Sequence, residues 1–262
     1  MAPSEHATRL AERLAERLDG VVALELTVLD TRDVAPGLRS LRLEGDLAGF
    51  DPWPGQDLMV SVPPGDAAAR WRRYTVRRLD RAAGAVELWV TTTTDGPGAT
   101  WAAAASPGDR VDAVGPRGKI ALRADATDHL FVVDEAGLAA CCSMAEAVEP
   151  PATVWTVTLL TPDPTWLPHE VGPEVRRGVT LRPHVLDPEN VEWVASALGR
   201  TVSRLERATA AAYVFAELSI VRRAAATIAE HGLDDARVAA KPYWRDDRPN
   251  EANGEPDRTD AA

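Results

Sequence analysis

The spacing of turn residues changes character near residue 125, and that change restricts the fold more than any other feature of the chain. Before it, short runs carry β-type patterning: VVALELTVLD, LRSLRLEG, QDLMVSVPP, RRYTVRRLD, AVELWVTTT and DRVDAVGPRG. Pro36-Gly37, Pro63-Pro64-Gly65, Gly96-Pro97 and Pro107-Gly108 break them. Strands at this spacing predict a sandwich or small barrel. After it, HLFVVDE runs into the helical AGLAACCSMAEAVE, and TVWTVTLLTP and VTLRPHVL read as strands. VEWVASALGRTVSRLERAT is helical, AAYVFAE a strand, SIVRRAAATIAEHG a helix and DARVAAKPYW a closing strand. Strands alternating with helices predict β-α-β units and a mostly parallel sheet.

The expected organisation has four parts. Residues 1–20 hold an amphipathic helix with Leu10, Leu14 and Leu18 on one stripe and Ser4 as cap. Residues 21–124 form an antiparallel β-barrel, 125–246 an α/β domain of nucleotide-binding type, and 247–262 a polar, acidic, disordered tail. In the 262 residues no apolar run is long enough to span a membrane. The N-terminus shows no leader, so the expected location is the cytoplasm. A formal charge of −11 argues against general nucleic-acid binding. The adjacent Cys141 and Cys142 read as small buried helix residues. Five histidines are scattered without ligand spacing, so no metal site is expected.

One pair of segments points to a ligand. Arg72-Arg73-Tyr74-Thr75-Val76-Arg77 alternates charge with Tyr, Thr and Val. About twenty residues on, Gly96-Pro97-Gly98-Ala99-Thr100-Trp101 is a turn opening onto an Ala-rich helix. A helix start offers unpaired N–H groups and the positive end of the backbone dipole. With arginines for phosphate oxygens and a Tyr/Thr edge for a ring, the two make a seat for a phosphate-bearing aromatic ligand.

These segments, with Pro107-Gly108-Asp109, Gly115-Pro116-Arg117-Gly118 and Tyr243-Trp244-Arg245 in order, resemble the siderophore-interacting protein family. Its members are flavin-dependent ferric-siderophore reductases akin to ferredoxin–NADP reductases, and the likeness covers roughly residues 22–246. The resemblance implies FAD on the barrel, with Arg72 at the flavin phosphate and Tyr74 and Thr75 along the ribityl chain and ring. Thr75 would be near the reactive edge and Gly96, Pro97 and Gly98 at the pyrophosphate. Arg77, Thr100 and Trp101 complete the expected cofactor set. It further implies Lys241 and Arg245 as basic residues for a catecholate or carboxylate ferric chelate, and Asp134, Glu135 and Glu217 at the face of the second domain that would receive nicotinamide.

The chain departs from the family pattern at several of these points. Thr93-Thr94 stand where relatives have His-Gly, and Ala99 replaces a hydroxyl residue, removing a hydrogen bond worth roughly 1 kcal/mol. Thr100, one place on, is a candidate replacement. Val133-Asp134-Glu135-Ala136 stands for Gly-Asp-Glu-Thr, and Ala216-Glu217 for Gly-Glu. Side chains at turns where glycine lets a ligand approach count against NAD(P)H. Two functions follow as expectations. One is FAD-dependent reduction of a ferric siderophore. The other is a diverged flavin-binding homologue acting without redox chemistry, such as a cyclase on a biosynthetic intermediate. Asp134 and Glu217 also have a purely structural reading, as caps of the helices that follow them.

Overall fold

The computed structural model describes residues 8, 11–13, 15–16, 18–62, 70–94, 96–159, 169, 171–176, 179–181 and 192–245. The six β-type runs before residue 125 all become strands: β1 (Val22–Ala35), β2 (Leu38–Glu44), β3 (Asp57–Val62), β4 (Arg70–Asp80), β5 (Ala85–Thr91) and β6 (Arg110–Arg117). They form a closed antiparallel barrel in the order β1-β2-β5-β4-β3-β6, with β1 pairing back onto β6. Closure removes the exposed edges that an open sheet would leave. Leu41, Leu43, Leu58, Val60 and Leu88 fill the interior. Helix α1 (Pro97–Ala104) lies against this core and buries Trp101 in it.

The second half alternates as its pattern predicts: β7 (Asp128–Asp134), α2 (Leu138–Ala145), β8 (Thr153–Leu159), α3 (Pro173–Arg176), β9 (Val179–Leu181), α4 (Glu192–Val202), β10 (Ala210–Glu217), α5 (Leu218–Glu230) and β11 (Val238–Trp244). Every pairing in the sheet β11-β10-β7-β8-β9 is parallel. Pro242, which cannot donate to a ladder, sits in an edge strand beside a register shift. β7 and β10 are neighbours from which the chain winds outward in opposite directions. Their carboxyl ends, Asp134 and Glu217, mark the switch point where such sheets form a crevice.

One face of the sheet packs on α4 and α5. The other carries α2, whose Leu138, Cys141, Cys142 and Met144 join Phe131, Val133 and Phe215 to Leu38 and Trp89 of the barrel in one core cluster. Both cysteines are buried in α2, as expected. α2 is therefore the wedge between the domains, and a clamp fixes it. Arg77 Nη1 and Nη2 bond Glu146 at the end of α2 at 2.9 and 2.6 Å, and the guanidinium lies 4.9 Å from the centre of the Trp89 ring. Burial is the largest influence on Arg77 and opposes its charge, but hydrogen bonding to Glu146 together with the charges of Cys142, Glu146 and Glu87 raises the pKa. Removing one partner of a buried pair costs roughly 3–5 kcal/mol. Glu146 is 37% exposed and can rehydrate, so Arg77→Ala is expected to lose about 2 kcal/mol in urea unfolding. A change within about 0.5 kcal/mol would show the clamp to be unimportant.

At the N-terminus the described residues between 8 and 16 are helical. Ala11 is buried against Met59 and Val114 of the barrel, and Thr8 donates to the buried Asp112 at 3.1 Å. Of the expected leucine stripe, Leu18 is exposed, while Leu10, Leu14 and the cap Ser4 lie outside the described residues. So do His6, His184 and the tail. His129 is buried with Nδ1 3.3 Å from the Tyr213 hydroxyl, and His231 Nδ1 lies 2.8 Å from the Thr227 carbonyl. Among the described residues no cluster of potential metal ligands forms, and no helix is long and apolar enough to cross a membrane.

Candidate functional site

A cleft of about 350 Å³ opens between the barrel and the switch point of the sheet. Strands β4 and β5 supply one wall through Arg73, Tyr74, Thr75 and Trp89, continued by Thr93 and Thr94. The other wall is Glu135, Ala136 and Ala139, with Tyr243 and Trp244 at the end of β11. The first of the two sequence segments that point to a ligand thus meets the end of the last strand, and the second reaches it through the packing of Gly98 on Tyr74.

On the barrel side, Arg72 and Tyr74 lie on the face of β4 turned to α1. Gly98 is essential to that approach: a Cβ there would overlap the Tyr74 hydroxyl and lie 3.7 Å from Arg72 Cγ. The N-cap Gly96 offers no side chain to the first N–H groups of α1. Arg72 Nη1 donates to the Trp71 carbonyl at 2.9 Å, while the stem of its side chain passes Gly98. Burial raises the pKa of Tyr74, against the lowering charge of Arg72, so the phenol keeps its proton.

Three residues expected at the cofactor stand elsewhere. Arg77 is committed to Glu146 and Trp89, as above. Trp101 is buried in the barrel core, 5.8 Å from the Tyr74 ring, and supports that ring from behind. Thr100 is exposed and donates its hydroxyl to the Gly96 carbonyl at 3.2 Å, so it does not replace the hydroxyl missing at Ala99. A threonine inside a helix has this bond available to the preceding turn.

At the floor of the cleft stands a residue the sequence reading overlooked. Asp57, 2% exposed at the start of β3, accepts the Thr75 hydroxyl at 3.0 Å on Oδ1. On Oδ2 it accepts Lys241 Nζ at 2.6 Å and Arg73 Nη2 at 2.8 Å. Thr75 has one hydroxyl proton, which goes to Asp57, so the Tyr243 hydroxyl 2.8 Å away is the donor in its contact with Thr75. Burial, followed by the charge of Asp57, raises the pKa of Tyr243 and keeps that proton in place. Lys241, expected as an open substrate cation, is instead paired with Asp57 and lies 5.3 Å from the Tyr243 ring centre. Arg245 follows β11, half-buried, and does not line the cleft.

On the sheet side, Asp134 is 1% exposed and gathers four donors. Ala136 N (2.9 Å) and Gly137 N (3.1 Å) bond Oδ1, and Glu217 N (2.8 Å) and Trp244 Nε1 (2.7 Å) bond Oδ2. Burial, then the charge of Glu135, push its pKa up to about 7 against the lowering of these N–H donors. Glu217 caps α5, accepting Ser219 N at 2.5 Å and Ile220 N at 3.4 Å, and its carboxylate also takes the Ser219 hydroxyl. Glu217 is thus a helix cap and Asp134 ties the turn between β7 and α2 to the end of β10, whereas Glu135 lines the cleft. Val133 and Ala216, read from sequence as obstacles in the crevice, are fully buried in the core, and of the substituted positions Ala136 lines the cleft on the sheet side and Thr93 and Thr94 on the barrel side.

Residues 52–120 match the siderophore-interacting FAD-binding domain and residues 126–247 match the siderophore-interacting protein domain. The chain belongs to the siderophore-interacting protein family. The barrel is accordingly an FAD-binding domain, and FAD is the cofactor of the family. The chain is similar to the NADPH-dependent ferric-chelate reductase of Escherichia coli K12, 26% identical over 156 residues. That match covers 55% of this chain and about half, 54%, of the relative. It is also similar to the siderophore-interacting protein SipS from Aeromonas hydrophila, with 25% identity, a TM-score of 0.69, and coverage of 86% of this chain and 92% of that one. A siderophore utilization protein from T. fusca shares the fold, at 24% identity, with a TM-score of 0.76 over 89% of this chain and 97% of that one.

Proposed function

We propose that the protein is an oxidoreductase that uses FAD on the barrel to pass electrons to a ferric chelate in the interdomain cleft. The observation that carries this reading is Tyr74, which lines the aromatic-walled cleft and, with Arg72, packs against Gly98 in the first turn of α1, where the described residues provide no side-chain cap. Those residues fit the group. The N-terminal N–H groups of a helix and a guanidinium suit a pyrophosphate, and Tyr74, braced by Trp101, gives a flat ring a wall. When bound, FAD takes up an electron pair and gives electrons up singly to Fe(III), whose chelator holds Fe(II) far less tightly.

The chain's own residues orient and enclose. Arg72 and α1 hold the phosphates. Trp244, fixed by its hydrogen bond to Asp134, closes the far side of the cleft. Thr75 donates to Asp57 and accepts from Tyr243, so its hydroxyl is locked and has no proton to hand to a ligand. A nicotinamide dinucleotide finds few backbone donors at the switch point, because Asp134 holds the N–H groups of Ala136, Gly137 and Glu217. Glu217 holds those of Ser219 and Ile220. The non-redox alternative gains no support: of the carboxylates near the crevice, Asp134 is engaged by backbone and Trp244 donors and Glu217 caps α5, which leaves Glu135 alone on the cleft wall among the described residues.

The direct test is to load the protein with FAD, reduce it anaerobically with dithionite and add a ferric chelate with an Fe(II) trap. Reoxidation of the flavin with stoichiometric trapped Fe(II) is the expected result; a flavin that stays reduced would sink the proposal. NADH and NADPH are expected to bleach the flavin slowly by comparison. Arg72→Ala should weaken FAD retention about ten-fold, since hydrogen bonds to charged groups contribute roughly 1.5–3 kcal/mol. Lys241→Ala, which alters the Asp57 cluster instead, should weaken it much less; equal retention on gel filtration would contradict the site.

A further inference from the structure

We infer that the cleft selects a ferric chelate of little or no net charge, of the trihydroxamate type, over a strongly anionic tris-catecholate. This rests on the reading that the cleft takes a ferric chelate at all. The charge inventory carries it. Among the described residues lining the cleft only Arg73 and Glu135 are charged, and they carry opposite signs. Beneath them Asp57 binds both Arg73 and Lys241 on one oxygen. Two cations sharing a buried carboxylate leave one surplus positive charge, and Glu135 on the facing wall brings a charge of the opposite sign to the same cleft. The chain as a whole carries −11, so the long-range field also repels anions.

A tris-catecholate of Fe(III) keeps several negative charges, and its recognition requires cations whose charge is not already matched. The trihydroxamate neutralises the metal and needs no such excess. Lys241 and Arg73 cannot both turn to an anion without leaving Asp57 as a buried, uncompensated charge, so at most one of them is available to it. The aromatic Tyr243 and Trp244 at the rim suit a ligand with apolar surface. Asp57 thus acts as a positioning residue that sets specificity by pinning the cations which an anionic ligand would use.

The test uses the oxidised, FAD-loaded protein and gallium(III) complexes of a trihydroxamate and a tris-catecholate. These are redox-inert and match the iron complexes in charge. Titration by calorimetry is expected to show at least about ten-fold tighter binding of the trihydroxamate, with little salt dependence. Asp57→Asn should shift the ratio about ten-fold toward the catecholate, and Glu135→Gln, on the cleft wall, several-fold. The second variant keeps the test sound if the first folds poorly. Tighter binding of the catecholate by the wild type, or a ratio unmoved by Glu135→Gln, would overturn the inference and leave the reductase reading standing. Failure of both complexes to bind would overturn the two together.

Discussion

Raising the pH from about 4 to about 7 is expected to remove up to about 4 kcal/mol of stability through Asp134 alone. Its pKa rises from the ordinary 3.8 to about 7 on folding, chiefly by burial and next by the charge of Glu135. The folded state therefore holds this proton more tightly than the unfolded chain does. The stability it contributes is complete below the unfolded pKa and is lost as pH climbs through the folded one. The measurement is urea unfolding across that range for the wild type and for Asp134→Asn, which has nothing to titrate there. The variant starts lower, because an amide NH₂ would face the N–H groups of Glu217 and Trp244 now bound to Oδ2. Its deficit should shrink as pH rises. A deficit that is constant between acid and neutral pH would mean that Asp134 stays ionised throughout.

Gly137→Ala is expected to destabilise the protein by about 3 kcal/mol, although alanine is the better helix former. The backbone is no obstacle, since Gly137 has φ −83 and ψ −10, ordinary helical values. Space is the obstacle. A Cβ there would overlap the carbonyl oxygen of Phe215 and lie 3.0 Å from the Cβ atoms of Phe215 and Val133. These neighbours belong to β10 and β7, where nothing can yield without disturbing the sheet. Thermal and urea unfolding would detect the loss; a variant as stable as wild type would refute the close approach of α2 to β10. The side chain of Val133, placed where relatives have glycine, is thus accommodated by a glycine four residues later.

Much of this fold was legible because its turns are chemically marked. Gly and Pro punctuate the barrel strands, and Pro242 indicates an edge strand by lacking a donor. The site was legible in part. Arg72, Tyr74, Gly96 and Gly98 sit together because strand alternation and a helix start are local properties. Arg77 was misplaced because β4 shifts register between Val76 and Arg78, so simple alternation no longer says which way its side chain points. Asp57 has no neighbour in the sequence that marks it as more than part of the run QDLMVSVPP. Only tertiary pairing brings Lys241 onto it, from 184 residues away. Val133 and Ala216 were read as crevice residues because the glycines they replace suggest ligand approach, whereas the parallel sheet buries both.

The strand order also sets a timetable for the growing chain. The barrel closes when β6 pairs with β1, which needs nothing beyond Arg117. The sheet cannot gain its central pair until β10 reaches β7, and its edge waits for Trp244. Pairings between distant segments form slowly, and domains tend to fold as units from the N-terminus during synthesis. The barrel wall of the cleft, with Arg72 and α1 in place, is therefore complete well before the opposite wall has been made.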